Sequence, residues 1–156
     1  MLALLSVLLF LTLDACKKSN VEEKVLNHQD GSIRRKFTLV DGKIDGEMLE
    51  YYEKTGQVQL RRVFEKGVQV GRTEMYYPDG KRKEVQYYQN GKKEGGDTMF
   101  YANGQPQFLV TFKQGKMDGP MRRWQENGEL FFEAFYQQDS LKEVTKKLGV
   151  SLGDQQ

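Results

Sequence analysis

The sequence predicts an all-β protein: an elongated single antiparallel sheet of tandem β-hairpins, closed by a short C-terminal capping helix. Three observations predict the hairpins. Glycines recur every 24 or 25 residues, aromatic side chains recur with the same period, and 16 glycines, eight tyrosines and nine phenylalanines accompany only three prolines. Glycine disfavours helices and aromatic residues favour pleated sheets, so the composition and the repeat period agree.

The first 15 residues predict a signal peptide. Thirteen uncharged residues, MLALLSVLLFLTL, precede Asp14, Ala15 and Cys16. As a helix this run spans only about 20 Å, which is short for a bilayer core of about 30 Å. The segment resembles a bacterial lipoprotein signal, and this resemblance implies that Cys16 is lipidated and becomes the mature N-terminus. The alternative is an ordinary buried helix with Cys16 as a small core residue.

Residues 16–29 are predicted to form a lipidated N-terminus and a flexible tether, because they are polar and rich in Lys, Glu and Asn. His28 lies at the end of this segment and is interpreted as a solvated side chain. The lipoprotein resemblance implies export to the bacterial cell envelope, with the membrane contacted through the lipid and the outer membrane as the anchoring site.

Two series of glycines predict the turns. One series opens Gly-x-x-x-Gly units, and most members of the other follow Asp or Asn, as in Asp79-Gly80, Asn103-Gly104 and Asn127-Gly128. Such Asx-Gly pairs are typical of type I′ hairpin turns, so we assign these turns to the second series and longer connecting turns to the first. The turn-forming glycines are Gly56, Gly80, Gly91, Gly104, Gly115 and Gly128.

Aromatic columns keep step with the glycines. One column holds Tyr51, Tyr76, Phe100 and Trp124, and the next position holds Tyr52, Tyr77, Tyr101 and Gln125. Neighbours on a strand point to opposite faces, so both faces are predicted to carry an aromatic ladder. One ladder should be partly exposed in a groove, unless curling of the sheet hides both. The predicted partner-binding residues are Tyr52, Tyr77, Tyr101 and Trp124.

The repeat resembles the MORN repeat, and more specifically the variant found in bacterial YwqK-type proteins. The best copy, YYPDGKRKEVQYYQNGKKEG, runs from Tyr76 to Gly95, and the resemblance covers residues 30–138. It implies a hairpin-repeat fold. The function it implies is less specific, because proteins with this repeat are described as scaffolds, as antitoxin-like proteins or as binders of lipid head groups.

Residues 139–149 are predicted to form the capping helix. Ser140 and Glu143 can form a capping box, and Leu141, Val144 and Leu148 fall on one helical face. A helix here would cover the end of the sheet, where a bare edge invites aggregation. Residues 150–156 are predicted to be a disordered tail.

The sequence offers no catalytic machinery. The one histidine and the one cysteine are His28 and Cys16, no His/Cys cluster or dense carboxylate loop is present, and neither a metal nor a cofactor is predicted. Asp45 and Asp118 share a turn position with Val70, which favours a turn role over metal ligation. Lys plus Arg number 24 against 22 for Asp plus Glu, so no nucleic-acid partner is predicted.

The function predicted from the sequence is therefore a non-enzymatic binding scaffold of the cell envelope that recognises a partner protein along its sheet. One alternative is an antitoxin or immunity protein that neutralises a cognate toxin. Another is a module that binds lipid head groups or glycan.

Overall fold

The computed structural model describes residues 18–147, and this part of the chain forms one open antiparallel sheet of twelve strands. The strands are β1 Val21–Asn27, β2 Ile33–Val40, β3 Lys43–Tyr51, β4 Val58–Glu65, β5 Val68–Tyr76, β6 Arg82–Gln89, β7 Lys92–Lys93, β8 Gly95–Phe100, β9 Pro106–Lys113, β10 Lys116–Trp124, β11 Leu130–Gln137 and β12 Ser140–Lys147. Strands follow one another in chain order, with the two-residue β7 paired to β6. Ten spacings of about 4.8 Å make the sheet about 48 Å long. The predicted signal peptide and Cys16 lie outside the described residues.

The type I′ turns lie in the first glycine series, which corrects the prediction from the sequence. Both central residues of each such turn have positive φ, as in Asn90 (50°) and Gly91 (76°). The five pairs are Asp41-Gly42, Lys66-Gly67, Asn90-Gly91, Gln114-Gly115 and Gln138-Asp139. Two residues with positive φ match the right-handed twist of the flanking strands, so these are the tight hairpins.

The Asx-Gly pairs of the second series instead form longer loops in which only the glycine has positive φ. In the loop after β5, Gly80 N donates to Tyr77 O at 2.9 Å and Tyr77 N donates to Lys81 O at 2.8 Å. The Asp79 side chain accepts a hydrogen bond from Lys81 N at 3.0 Å. This side-chain bond favours a type I turn followed by a left-handed glycine over the type I′ turn that the dipeptide predicts.

The segment predicted to be a flexible tether forms a strand. β1 pairs with β2 from Val21 opposite Val40 to Asn27 opposite Ile33. His28 is half-buried, and its Nε2–H donates to Tyr51 O at 3.1 Å. Both predictions for this segment are therefore corrected: pairing with β2 orders the polar residues, and His28 occupies a position of the repeat.

The C-terminal segment is also a strand and not the predicted helix. β12 pairs with β11, and the positive φ values of Gln138 (48°) and Asp139 (66°) form the turn between them. The unpaired edge of β11 offers a row of backbone hydrogen bonds, which outweighs the local helical signal of the capping box. Residues 148–156, which include the predicted tail, lie outside the described residues.

The two faces of the sheet differ in what they bury. On one face, called the core face, cross-strand pairs such as Met48 with Arg62 and Met121 with Ala134 lie in one row across the sheet. Met48, Val110 and Ala134 on this face are nearly inaccessible, with exposed fractions of 4%, 5% and 0%. The opposite face, called the groove face, buries less apolar surface and carries the row that runs from Leu49 through Arg61, Glu74 and Val85.

Candidate functional site

A ladder of hydrogen bonds joins each repeat to the next at the loop end of the sheet. The hydroxyl groups of Tyr52, Tyr77 and Tyr101 donate to Tyr76 O, Phe100 O and Trp124 O at 2.7, 2.7 and 2.8 Å. The tyrosine rings are half-buried, and burial raises the pKa of Tyr52. Each donor tyrosine is the first residue of a loop, and each acceptor carbonyl belongs to the last residue of a strand in the following repeat.

The ladder gives three of the four predicted partner-binding residues an internal role. Trp124 is also part of it, because its carbonyl accepts the last tyrosine bond and its side chain is half-buried. Contact of these four residues with a partner stays a prediction. His28 occupies the equivalent position one repeat before Tyr52, and its ring binds a backbone carbonyl as the tyrosine hydroxyl groups do. The 24-residue spacing between His28 and Tyr52 could have indicated this position from the sequence.

A cavity of about 490 Å³ opens on the groove face next to this ladder, and Tyr76 belongs to both. It is lined by apolar side chains of Leu49 and Val58, by the ring of Tyr76 and by the guanidinium of Arg61, with Gly56, Gln57 and Gly80 at its loop end. Burial is the main cause that raises the pKa of the Tyr76 phenol, and the Glu74 carboxylate adds to it. The cavity therefore combines an apolar wall with a cationic rim.

Three arginines converge on a buried carboxylate beside this cavity. Glu74 is 5% exposed. Its carboxylate lies 2.9 Å from Arg72 Nη2, 3.4 Å from Arg61 Nη1 and 3.7 Å from Arg82 Nε. Arg61 also binds Glu47, and this hydrogen bond is the main cause that raises the pKa of the Arg61 guanidinium. We call Arg61, Arg72, Arg82 and Glu74 the arginine cluster.

The core face also carries a polar cluster around Asp97, which pairs with Val110 on the neighbouring strand. Asp97 is 6% exposed, and its Oδ2 accepts from Lys93 Nζ at 2.5 Å and from Gln86 Nε2 at 3.3 Å. Its other oxygen, Oδ1, has no hydrogen-bond partner within the described residues. Burial raises the pKa of the neighbouring Glu84 carboxyl, and Asp97 raises it further.

The recurring acidic residues of the tight-turn units serve the turns. Asp45 Oδ2 accepts from Lys66 N at 2.9 Å, and Glu94 Oε2 accepts from Gln114 N at 2.7 Å. Asp118 Oδ2 accepts from the Gln138 side chain at 2.8 Å.

Residues 18–147 contain no group of three or more His, Cys, Asp and Glu residues that could hold a metal ion. Across the same residues the structure has no helix with the length and apolar character of a membrane span.

Comparison with known proteins supports the repeat. Residues 69–90, 98–114 and 117–138 match the family model of the MORN repeat variant. Each matched segment ends at the first of the two positive-φ residues of a tight turn, namely Asn90, Gln114 or Gln138. No curated protein matches the chain. The chain thus carries three segments of the MORN repeat variant, set in a sheet whose hairpin pattern runs from β1 to β12.

Proposed function

We propose that this protein is a non-enzymatic scaffold that binds a partner protein on the groove face of its sheet. MORN repeats suggest a repeat-based binding scaffold. The observation that carries the choice of face is the cavity beside Tyr76 and Arg61, next to the converging guanidinium groups of Arg72 and Arg82. Tyrosine and arginine around a partly desolvated apolar pocket is the composition that dominates binding energy at protein interfaces.

Tyr87 extends this surface to the next strand. It lies directly opposite Arg72 in the β5–β6 pair, and 46% of its surface is exposed. A large aromatic side chain that is exposed beside Arg72 provides contact area at a low cost in conformational entropy. The groove face around β4 to β6 is therefore a better contact surface than the tyrosine ladder, whose hydroxyl groups are already bonded.

A photo-reactive amino acid at Tyr87 tests the surface in living cells. We expect a specific cross-link to one protein, and no such product from the same amino acid at Leu141, a 53% exposed core-face position on β12. Cross-links to the same protein from both positions, or from neither, would contradict binding on the groove face. The identity of the cross-linked protein also distinguishes an envelope partner from a toxin.

The second part of the proposal is that the scaffold is an exported lipoprotein of the bacterial cell envelope, anchored through Cys16. Its support is the apolar run before this cysteine. Stable anchoring needs more than one acyl chain, which a lipoprotein N-terminus provides. Radiolabelled palmitate should be incorporated into the wild-type protein and not into Cys16→Ala. Equal labelling of both proteins, or labelling of neither, would refute the anchor.

A further inference from the structure

We propose that the partner binds the groove face through an acidic segment. Its carboxylates would contact Arg72 and Arg82, and an apolar side chain on the same side of the segment would enter the cavity between Leu49 and Tyr76. This inference rests on the proposed function and specifies the chemistry of the partner.

The arginine cluster is prepared to bind more carboxylate than it contains. A guanidinium has five N–H donors in a fixed fork. The Glu74 carboxylate lies within ion-pair distance of one nitrogen of each arginine, so it holds the three groups together without using most of their donors. Two further nitrogen atoms of Arg61, Nε and Nη2, donate to the Glu47 carboxylate. The donors of Arg72 and Arg82 that do not face Glu74 are therefore available to a bidentate acceptor.

The exposed charge of the cluster is positive. The side chains of Arg61, Arg72 and Arg82 are 42%, 42% and 51% exposed, whereas the side chain of Glu74 is 7% exposed. Glu47 is the accessible carboxylate in contact with the cluster, and it pairs with Arg61. An incoming ligand thus meets an excess of guanidinium groups beside an apolar wall. This arrangement speeds the association of an acidic partner and fixes the position at which it binds.

The arrangement of the arginines and the cavity can accommodate an extended peptide. The backbones of the three arginines lie on β4, β5 and β6, and their guanidinium groups converge on Glu74, where Arg72 Nη2 and Arg82 Nε lie 2.9 and 3.7 Å from the same carboxylate oxygen. Alternate residues of an extended chain point to the same side and are about 7 Å apart. Two acidic residues and one apolar residue at alternate positions, as in Glu-x-Glu-x-Leu, therefore point to the same side and can face the arginines and the cavity together.

A fluorescein-labelled peptide with glutamate, glutamate and leucine at alternate positions (Glu-x-Glu-x-Leu) is the probe, and the same peptide with glutamines in place of the glutamates is its control. We expect the glutamate peptide to bind the purified full chain in mild detergent with a salt-dependent affinity. The double substitution Arg72→Gln with Arg82→Gln should weaken binding by about tenfold or more, since each loses a charge-assisted hydrogen bond. The double substitution Lys113→Gln with Lys116→Gln removes the same charge from an exposed tight hairpin and should change binding by no more than about twofold.

Circular dichroism checks that the arginine variant keeps its β spectrum. If it does not fold, Arg82→Gln alone, at the most exposed arginine, is measured in its place and should still weaken binding. Equal binding of the glutamine peptide, or equal weakening by the lysine pair, overturns the inference. Arginine-dependent binding of anionic phospholipid vesicles without peptide binding also overturns it. The Tyr87 cross-link is independent of all these results, so a failed acidic peptide leaves the proposed scaffold function separately testable.

Discussion

Replacing Tyr77 by phenylalanine removes one rung of the ladder that joins consecutive repeats. The lost group is a half-buried hydroxyl that donates to Phe100 O at 2.7 Å, and the ring itself is retained. The net value of such a hydrogen bond is about 1 kcal/mol, and leaving a partly buried carbonyl without this donor adds to the cost. We expect the free energy of unfolding to fall by about 1–2 kcal/mol. Repeats are stabilised mainly by their neighbours, so the loss should reach beyond one hairpin.

Urea and thermal unfolding of the full chain measure this change. For a chain of this size the melting temperature should fall by about 2–4 °C for each kcal/mol. Tyr87→Phe is the matched control, because this ring is 46% exposed and lies on the adjacent strand. We expect the control to differ from wild type by less than about 0.5 kcal/mol. If Tyr77→Phe unfolds like the control, the ladder does not couple the repeats and the reasoning is refuted.

Three further predictions test the turns and the core. Lys66→Asn should raise the free energy of unfolding by about 0.5 kcal/mol in urea titrations, since Asn tolerates the positive φ of 50° better than Lys; no gain would contradict the turn assignment. Gly119→Ala should lower the melting temperature of the protein more than Gly46→Ala does. An added Cβ would lie 3.2 Å from Thr111 Cβ at position 119 and in open space at position 46, so equal melting temperatures of the two variants would contradict this prediction. Glu84→Gln should raise the melting temperature at pH 7 but not below about pH 4, because burial raises the pKa of the Glu84 carboxyl in the folded protein. The protonated carboxyl stabilises the fold, and this stabilisation is lost as the pH rises through the folded pKa, whereas glutamine stays neutral. A difference in melting temperature that does not depend on pH would contradict this prediction.

The ladder explains why aromatic residues recur as adjacent pairs. The first member of each pair ends a strand and offers its carbonyl, and the second begins a loop and donates its hydroxyl to the next repeat. This division of roles directs the search for a binding surface away from Tyr52, Tyr77 and Tyr101. The remaining candidate for a binding surface is the groove face, where Tyr76 and Tyr87 lie close to the arginine cluster.

The sequence by itself determined the repeat. The period of the glycines and the pairing of aromatic neighbours predicted a single antiparallel sheet of hairpins, because positive φ and side-chain alternation are local properties that a residue pattern records. The same local reasoning assigned Asp45 and Asp118 to the turns of their own units; the structure places them in strands β3 and β10, where their carboxylates bind residues of the next tight turn.

The tertiary structure decided which glycine series forms the tight turns, where the sheet ends and where its charges meet. Residues 21–27 and 140–147 lack the glycine and aromatic signature, and they are strands because β2 and β11 offer them unpaired backbone edges. Arg61, Arg72 and Arg82 are scattered along the sequence and meet only because register places them around Glu74. Cross-strand register is a non-local property, so residue spacing within one repeat could not reveal this cluster.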